Sequence, residues 1–326
     1  MELPRREFLR LAAGAAVLPG LSRTTLAQAY PLRPVRIVAA AAPGAAPDVL
    51  ARLIGQWLSE RLGQQFVIEN RPGGGGTIGT EAVVRALPDG NSLLLVDSSA
   101  TVNGALYEKL NYNFLRDIVP VAGIIRLPLI MAVQPSFPAK SIPEFIAYAK
   151  AKPGRINIGS PGMGTASHVA GELFKMMTGV DVVQVPTRGG GSALLNDLLG
   201  GQVHVIFSTS SLSIELVRAG RLRPLAVATA NRWEGLPDIP AVSEFVSGYE
   251  ASSMFGLGAP KNTPEGIIDR LNKEVNAAFS DPKILTRFAD LGGIVLPGAP
   301  ADFGKLVADE TEKWGKVVKF ARLKPV

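Results

Sequence analysis

Short runs of Val, Ile and Leu alternate with amphipathic stretches along almost the whole chain, and this alternation limits the fold more than any single motif. Strands are expected at Val35–Ala41, Phe66–Glu69, Ser92–Asp97, Leu129–Val133, Ile156–Gly159, Val182–Val185, Val203–Ser208 and Leu225–Thr229, with weaker candidates at Phe255–Ala259 and Ile294–Leu296. Between the first two, Val49, Leu50, Leu53, Ile54, Trp57, Leu58 and Leu62 share one helical face, and Gly63 ends the helix. Ser141 and Glu144 form a capping-box pattern. Thr263-Pro264 and Asp281-Pro282 each place an N-cap before a proline at the first helical position. Near-continuously apolar strands are buried on both faces, so the alternation predicts an α/β protein with mostly parallel sheets flanked by helices. No internal repeat is evident, and the one low-complexity spot is Gly73–Gly76.

The first thirty residues predict where the protein works. Arg5-Arg6-Glu7-Phe8-Leu9-Arg10 is a twin-arginine start, Leu11–Leu18 is a short apolar run, and Ala27-Gln28-Ala29 precedes Tyr30. A charged n-region, an h-region and an A-x-A site together read as an export signal cleaved near Ala29. The apolar run is shorter than the roughly 20 residues that a bilayer span needs. The expected location is a bacterial periplasm, with the twin-arginine route suggested by the paired arginines. Cysteine is absent and only His168 and His204 are histidines, which excludes disulfides, thiol nucleophiles and a histidine-rich metal cluster. Cleavage removes four arginines and two glutamates, so the net charge falls from +6 to +4. That mild basic bias favours small anions. It is spread along the chain without a block of Lys and Arg interleaved with aromatics, so nucleic acid is not an expected partner.

Two proline-flanked strand segments, within Pro128–Pro138 and Ala251–Pro264, read as crossings between lobes. With both crossings, lobe 1 is residues 30–130 plus 255–326 and lobe 2 is 131–254. A discontinuous first lobe joined by two hinge strands suits a clamshell.

Three loops rich in glycine or small residues each follow a strand and open a helix: Pro43–Asp48, Gly159–His168 and Thr187–Ser192. In parallel α/β sheets, ligands sit at the carboxyl ends of strands, where such loops gather. Free N–H groups and the positive end of the helix dipole then favour an anion such as a carboxylate. Ordinary turn and cap chemistry explains each loop taken alone. Asp48 reads as a cap or brace of the first loop. His168 has two readings, a donor to an anion or a structural hydrogen bond, and His204 reads as a strand residue. Arg188 is the candidate for direct anion contact, since a guanidinium matches carboxylate geometry, or else a solvated loop arginine.

Gly74-x-Gly76-x-x-Gly79, with Asp97 ending the next strand, is formally a dinucleotide-binding fingerprint. It would make the chain an exported NAD(P)-dependent oxidoreductase. Asn70-Arg71-Pro72 separates the preceding strand from the glycines, whereas the fingerprint requires a tight strand–loop–helix turn. Gly159-Ser160 lacks the G-x-S-x-G spacing of a nucleophile elbow, and H-E-x-x-H and calcium-loop patterns are missing.

Six segments, in order, resemble one family: Tyr30–Val35, Val67–Gly73, Ala86–Gly90, Pro138–Ser141, Asp197–Val203 and Leu236–Pro240. The chain resembles the periplasmic substrate-binding proteins of tripartite tricarboxylate transporters, the TctC-like or Bug-type receptors, from about Tyr30 to the C-terminus. The resemblance implies a two-lobed, non-enzymatic clamshell with two crossover strands and no cofactor. It also implies a monomer that hands a small carboxylate to transmembrane permease subunits. A receptor feeding a membrane sensor is the alternative within the same fold. The glycine run Gly73–Gly76 then opens a helix.

By the same resemblance, the first ligand loop falls on Pro43 to Asp48, with Gly44, Ala45, Ala46 and Asp48 as its binding positions. Its neighbour falls on Ser98, Ser99 and Thr101. The second-lobe positions are Ser160, Gly162, Gly164, Thr165, Ser167 and His168, then Thr187, Arg188, Gly189 and Ser192, then Phe207, Ser208 and Thr209. The family's Pro-Gly-Gly-Gly-Thr-Asp is here Pro43-Gly44-Ala45-Ala46-Pro47-Asp48. Alanine disfavours positive φ and proline removes an N–H. Its Phe-Asp-Thr is Phe207-Ser208-Thr209, which removes a partner for a ligand amine and argues against an amino-acid ligand.

Overall fold

The computed structural model describes residues 30–187 and 189–325. The proposed export segment and Arg188 lie outside the described residues. The chain runs β1 (Val35–Ala39), α1 (Ala46–Leu62), β2 (Phe66–Asn70), a 3-10 turn (Gly74–Gly76), α2 (Thr77–Val84), β3 (Ser92–Asp97), α3 (Ser98–Leu106), α4 (Phe114–Asp117) and β4 (Ile118–Val133). Then follow α5 (Ile142–Ala151), β5 (Asn157–Ser160), α6 (Ala166–Thr178), β6 (Val183–Pro186), α7 (Gly190–Leu199), β7 (Val205–Thr209), α8 (Ser210–Arg218) and β8 (Arg223–Val227). A 3-10 turn (Val242–Glu244), β9 (Ser252–Pro260), α9 (Glu265–Ala278), α10 (Pro282–Asp290), β10 (Ile294–Val295) and α11 (Pro300–Ala321) complete it.

The strands form two lobes that share their crossing strands. In the first, β2, β1 and β3 run parallel, β3 meets β9 antiparallel, and β9 pairs with β4 from Ile118 to Pro128. In the second, β6, β5 and β7 run parallel, and Leu129–Val133 of the same β4 pairs antiparallel with β7 and β8. Each lobe is thus a parallel three-strand wing of order 2-1-3 beside antiparallel crossing strands, a repeat of topology without a repeat of sequence. The return is made where Ala251 donates to the Ala228 carbonyl and Ala228 to that of Leu129, each at 2.7 Å.

The parallel strands are sandwiched by helices, as their apolar runs require. Ile37, Leu93 and Leu95 pack with Leu50, Ile54 and Leu58 of α1 and with Leu271 and Val275 of α9. In the second lobe, Ile158, Val205 and Phe207 pack with Val169, Leu173 and Phe174 of α6. The same core takes in Trp314, Val317 and Val318 from α11 and Val102 and Leu106 from α3. The second half of the C-terminal helix therefore closes the second lobe from outside, while Phe303 and Val307 of its first half pack with Val38, Leu94, Val96 and Met254 of the first lobe.

Several local expectations hold in geometry. Gly63 caps α1 in the left-handed region at φ 70°. Ser141 accepts from the Glu144 N–H at 3.3 Å, and Asp281 accepts from Lys283 and Ile284. Two differ. Thr263 does not cap α9: its hydroxyl donates to the Pro260 carbonyl at 2.7 Å, and the helix begins at Glu265 after Pro264. His204 precedes β7 rather than lying in it, and its Nδ1 accepts the Asn157 N–H at 2.8 Å. No described helix is long and apolar enough to cross a membrane.

Candidate functional site

A cleft of about 970 Å³ opens between the lobes, within the range of small-molecule sites. Its floor is made by the crossing strands, through Leu127 of β4 and Ser253 and Phe255 of β9. Its walls are the carboxyl ends of β3 and β7 and the loops after β1, β2, β5 and β6. Among the described residues, five helix starts line it: Ala45 and Ala46 of α1, Ser98 and Ser99 of α3, Ala166 and Ser167 of α6, Gly190 and Gly191 of α7, and Ser211 of α8. The first N–H groups of each helix have no intrahelical partner, and each start carries about half a positive charge.

The first loop is held from beneath. Asp48 is buried; its Oδ2 accepts the Gly44 N–H at 2.8 Å and its Oδ1 the Asn70 side-chain amide at 2.9 Å. Arg52 completes the cluster at 2.8 Å. Burial alone would raise the Asp48 pKa, but the bonds from Arg52, Gly44 and Asn70 outweigh it and hold the carboxyl below its usual range. The alanines that replace glycine strain nothing. Positive φ is needed only at Gly44, at 81°, while Ala45 sits at −72°. Pro47 occupies the first helical turn, where its missing N–H would be unpaired in any case.

The loop after β5 is built by its own side chains. Thr165 caps α6 and donates to the Gly162 carbonyl at 2.8 Å. His168 is buried, and its Nδ1 accepts the Gly164 N–H at 3.0 Å. Burial, with a smaller contribution from the charge of Lys175, brings its pKa down to about 4, so the ring is neutral at neutral pH. Of its two readings, the structural hydrogen bond is the one seen. After β6, Thr187 donates to Asp197 at 2.8 Å, and Gly189 and Gly190 carry positive φ into α7. Gly191 lies so close to α8 that a Cβ there would stand 2.7 Å from Leu212.

Gly44, Ala45, Ala46, Ser98, Ser99, Thr165, Ser167, Gly189, Ser192 and Thr209 are brought together on the cleft wall. The other described ones stand behind it or apart. Asp48 lies under its loop. Thr101 is buried and donates to the Ser98 carbonyl at 2.7 Å. Ser160 is buried at the end of β5, and Gly162, Gly164, His168 and Thr187 shape the loops from behind. Phe207 packs with Phe174 and Tyr249 at ring distances of 6.0 Å, and Ser208 is buried beside it.

The cleft also includes Pro161 and Met163, from the second small-residue loop, and residues that sequence reasoning passed over: Ala40–Ala42, Ser211, Leu212, Ser253 and Leu291. Ser211 was within reach, since it follows Thr209 at a helix start. Ser253 and Leu291 come from distant segments and carry no local signal. Gly73, Gly75, Gly76 and Asp97 line the cleft as well, but not as a dinucleotide loop. The glycines form a 3-10 turn set off from β2 by Arg71 and Pro72, and Gly79 is small because a Cβ would stand 2.8 Å from that of Ala40.

The profile of the tripartite tricarboxylate transporter family receptor matches residues 50–323. Protein BugT of Bordetella pertussis is 34% identical over 92% of this chain and 93% of its own. Among solved structures, R. palustris Rpa4515 with adipate matches with a TM-score of 0.83 and 36% identity, over 91% of this chain and 100% of that one. MatC from Rhodopseudomonas palustris with bound malate matches with a TM-score of 0.78 and 31% identity, over 89% and 100%. These matches remove the oxidoreductase reading, because the shared family is one of solute-binding receptors rather than enzymes. The chain belongs to the tripartite tricarboxylate transporter receptor family, the TctC or Bug group of periplasmic solute-binding proteins.

Proposed function

We infer that this chain is a periplasmic receptor that captures a small organic carboxylate between its lobes and delivers it to a tripartite-type membrane permease. The observation that carries the reading is the convergence of five helix starts and a set of Ser and Thr hydroxyls on one cleft. Such a surface offers N–H and O–H donors to an anion without placing a fixed cation among the described wall residues. That two relatives were solved with adipate and with malate supports the same ligand chemistry. Residues 1–29 serve as the export signal. Lobe 1 is 30–130 plus 255–326, lobe 2 is 131–254, and the protein works as a monomer. The wall residues named above make direct contact with the ligand, and Arg188 is carried over from the sequence as a further contact. Ligand draws the lobes together because it touches both walls only when they are closed.

Thermal unfolding of residues 30–326 against mono-, di- and tricarboxylates, with NAD and NADP as controls, tests this. A ligand at about 100 times its dissociation constant adds roughly 2.7 kcal/mol, enough to move the midpoint by several degrees. A shift with one carboxylate class supports the receptor. A shift with a dinucleotide alone overturns it.

A further inference from the structure

Asp97 is the one ionisable side chain among the described residues that line the cleft; the rest are hydroxyls, glycines and apolar groups. It ends β3 and stands opposite Phe255 of the crossing strand β9, so it sits where wall meets floor. Its Oδ1 accepts the Ser99 N–H at 2.8 Å and also the Ser99 hydroxyl, and the Ala100 N–H faces the same carboxyl. An ionised carboxylate has about four acceptor positions, so these donors leave room for one more. Burial makes the charge costly there and raises the proton affinity of Asp97 above the ordinary carboxylate range, against the pull of its three donors. A ligand carboxylate placed beside it would be repelled, and the repulsion is screened less than in bulk water.

We propose that the cleft selects a small carboxylate whose other end is a hydrogen-bond donor, an ammonium or a hydroxyl, with Asp97 as the acceptor that selects it. This rests on the receptor reading above and narrows its ligand class. It reverses the expectation drawn from Ser208, which set an amine-bearing ligand aside for want of an acid. Ser208 is buried, and Asp97 supplies the acid from the opposite lobe. One end of the ligand meets the helix starts of the second lobe, and the donor end meets Asp97.

The test is calorimetric titration of adipate and glutarate against their ω-amino and ω-hydroxy monocarboxylate analogues of equal chain length. Wild type is compared with Asp97→Asn and Asp97→Ser. Asparagine and serine both cap helices, so α3 keeps its start, and the melting midpoint checks that it does. The donor-bearing analogues are expected to bind wild type at least about tenfold more tightly than the dicarboxylates. Asp97→Asn should abolish that preference and strengthen dicarboxylate binding. Two results overturn the proposal while leaving the receptor intact. One is dicarboxylate binding that neither variant changes. The other is a wild-type preference for dicarboxylates with proton uptake on binding, which would make Asp97 a protonated donor. Failure of every carboxylate to bind overturns the receptor reading itself, and this inference with it.

Discussion

The Asp48 carboxylate accepts the backbone N–H of Gly44 at 2.8 Å, so the first turn of α1 reaches back and fixes the loop that leads into it. The same carboxylate joins Arg52 and Asn70, tying β2 to the loop. Asp48→Ala leaves the Gly44 and Asn70 donors without their acceptor. We expect a loss of about 1–3 kcal/mol in stability, together with weaker carboxylate binding, because the loop forms one cleft wall. Urea unfolding and a parallel titration measure the two effects. Asp48→Asn should keep part of both, since it still accepts one bond.

His168 gives a pH signature. Its pKa falls from 6.5 in the unfolded chain to about 4 in the fold. The unfolded state therefore binds more protons between those values, and stability rises with pH through that window. The contribution is complete above pH 6.5 and is lost as the pH falls from 6.5 toward 4, reaching about 3 kcal/mol. His168→Gln keeps an acceptor for the Gly164 N–H but cannot titrate. Between pH ~7.5 and ~4.5 wild type should lose about 2–3 kcal/mol more than the variant in urea unfolding. Parallel pH dependence in the two proteins would contradict the assignment.

Gly256, in the middle of β9, has no room for a side chain. A Cβ there would stand 2.2 Å from the Phe303 ring and 2.6 Å from the Ala122 carbonyl oxygen. The carbonyl belongs to the paired crossing strand and cannot swing away. Gly256→Ala is expected to cost about 1–3 kcal/mol. Gly104→Ala is the control, because nothing lies within 4 Å of its Cβ position, and it should be neutral or slightly stabilising.

Trp314 is fully buried in the core of the second lobe although it comes from the C-terminal helix. Trp314→Ala should cost about 3–5 kcal/mol. It lies outside the cleft wall, so at a temperature where the variant is folded its carboxylate affinity should match wild type. A folded variant that has lost binding would show that α11 positions the lobes as well as filling the core.

Much of this was legible in the sequence because it is local. Ser92–Asp97 was read to the residue, the Gly63 and Asp281 caps were visible, and the three small-residue loops fall where strands end. The first eleven residues of β4 were not read, since Pro120, Gly123 and Pro128 break the apolar pattern, and only pairing with β9 makes them strand. Helix α11 carried a readable signal that was passed over, with Phe303, Leu306, Val307, Trp314, Val317 and Val318 at helical spacing. In the site, glycine and hydroxyl loops were found because turn chemistry marks them. Ser253, Phe255 and Leu291 could not be, because the floor of the cleft exists only after the crossing strands pair. Asp97 was seen and assigned to another motif, since its distance from Gly79 suggested a cofactor, whereas its place at the end of β3 puts it beside the glycines in a different geometry.

The most direct test of the central claim fills the cleft without touching the core. Ser192 is exposed on the wall at the start of α7, so Ser192→Trp adds bulk into open space. Titration of adipate, malate and their ω-amino and ω-hydroxy analogues into wild type and variant should give single-site binding to wild type by at least one of these carboxylates. In the variant, with an unchanged melting midpoint, that binding should be lost. Equal affinity in both proteins, or no carboxylate binding to wild type, would contradict the account.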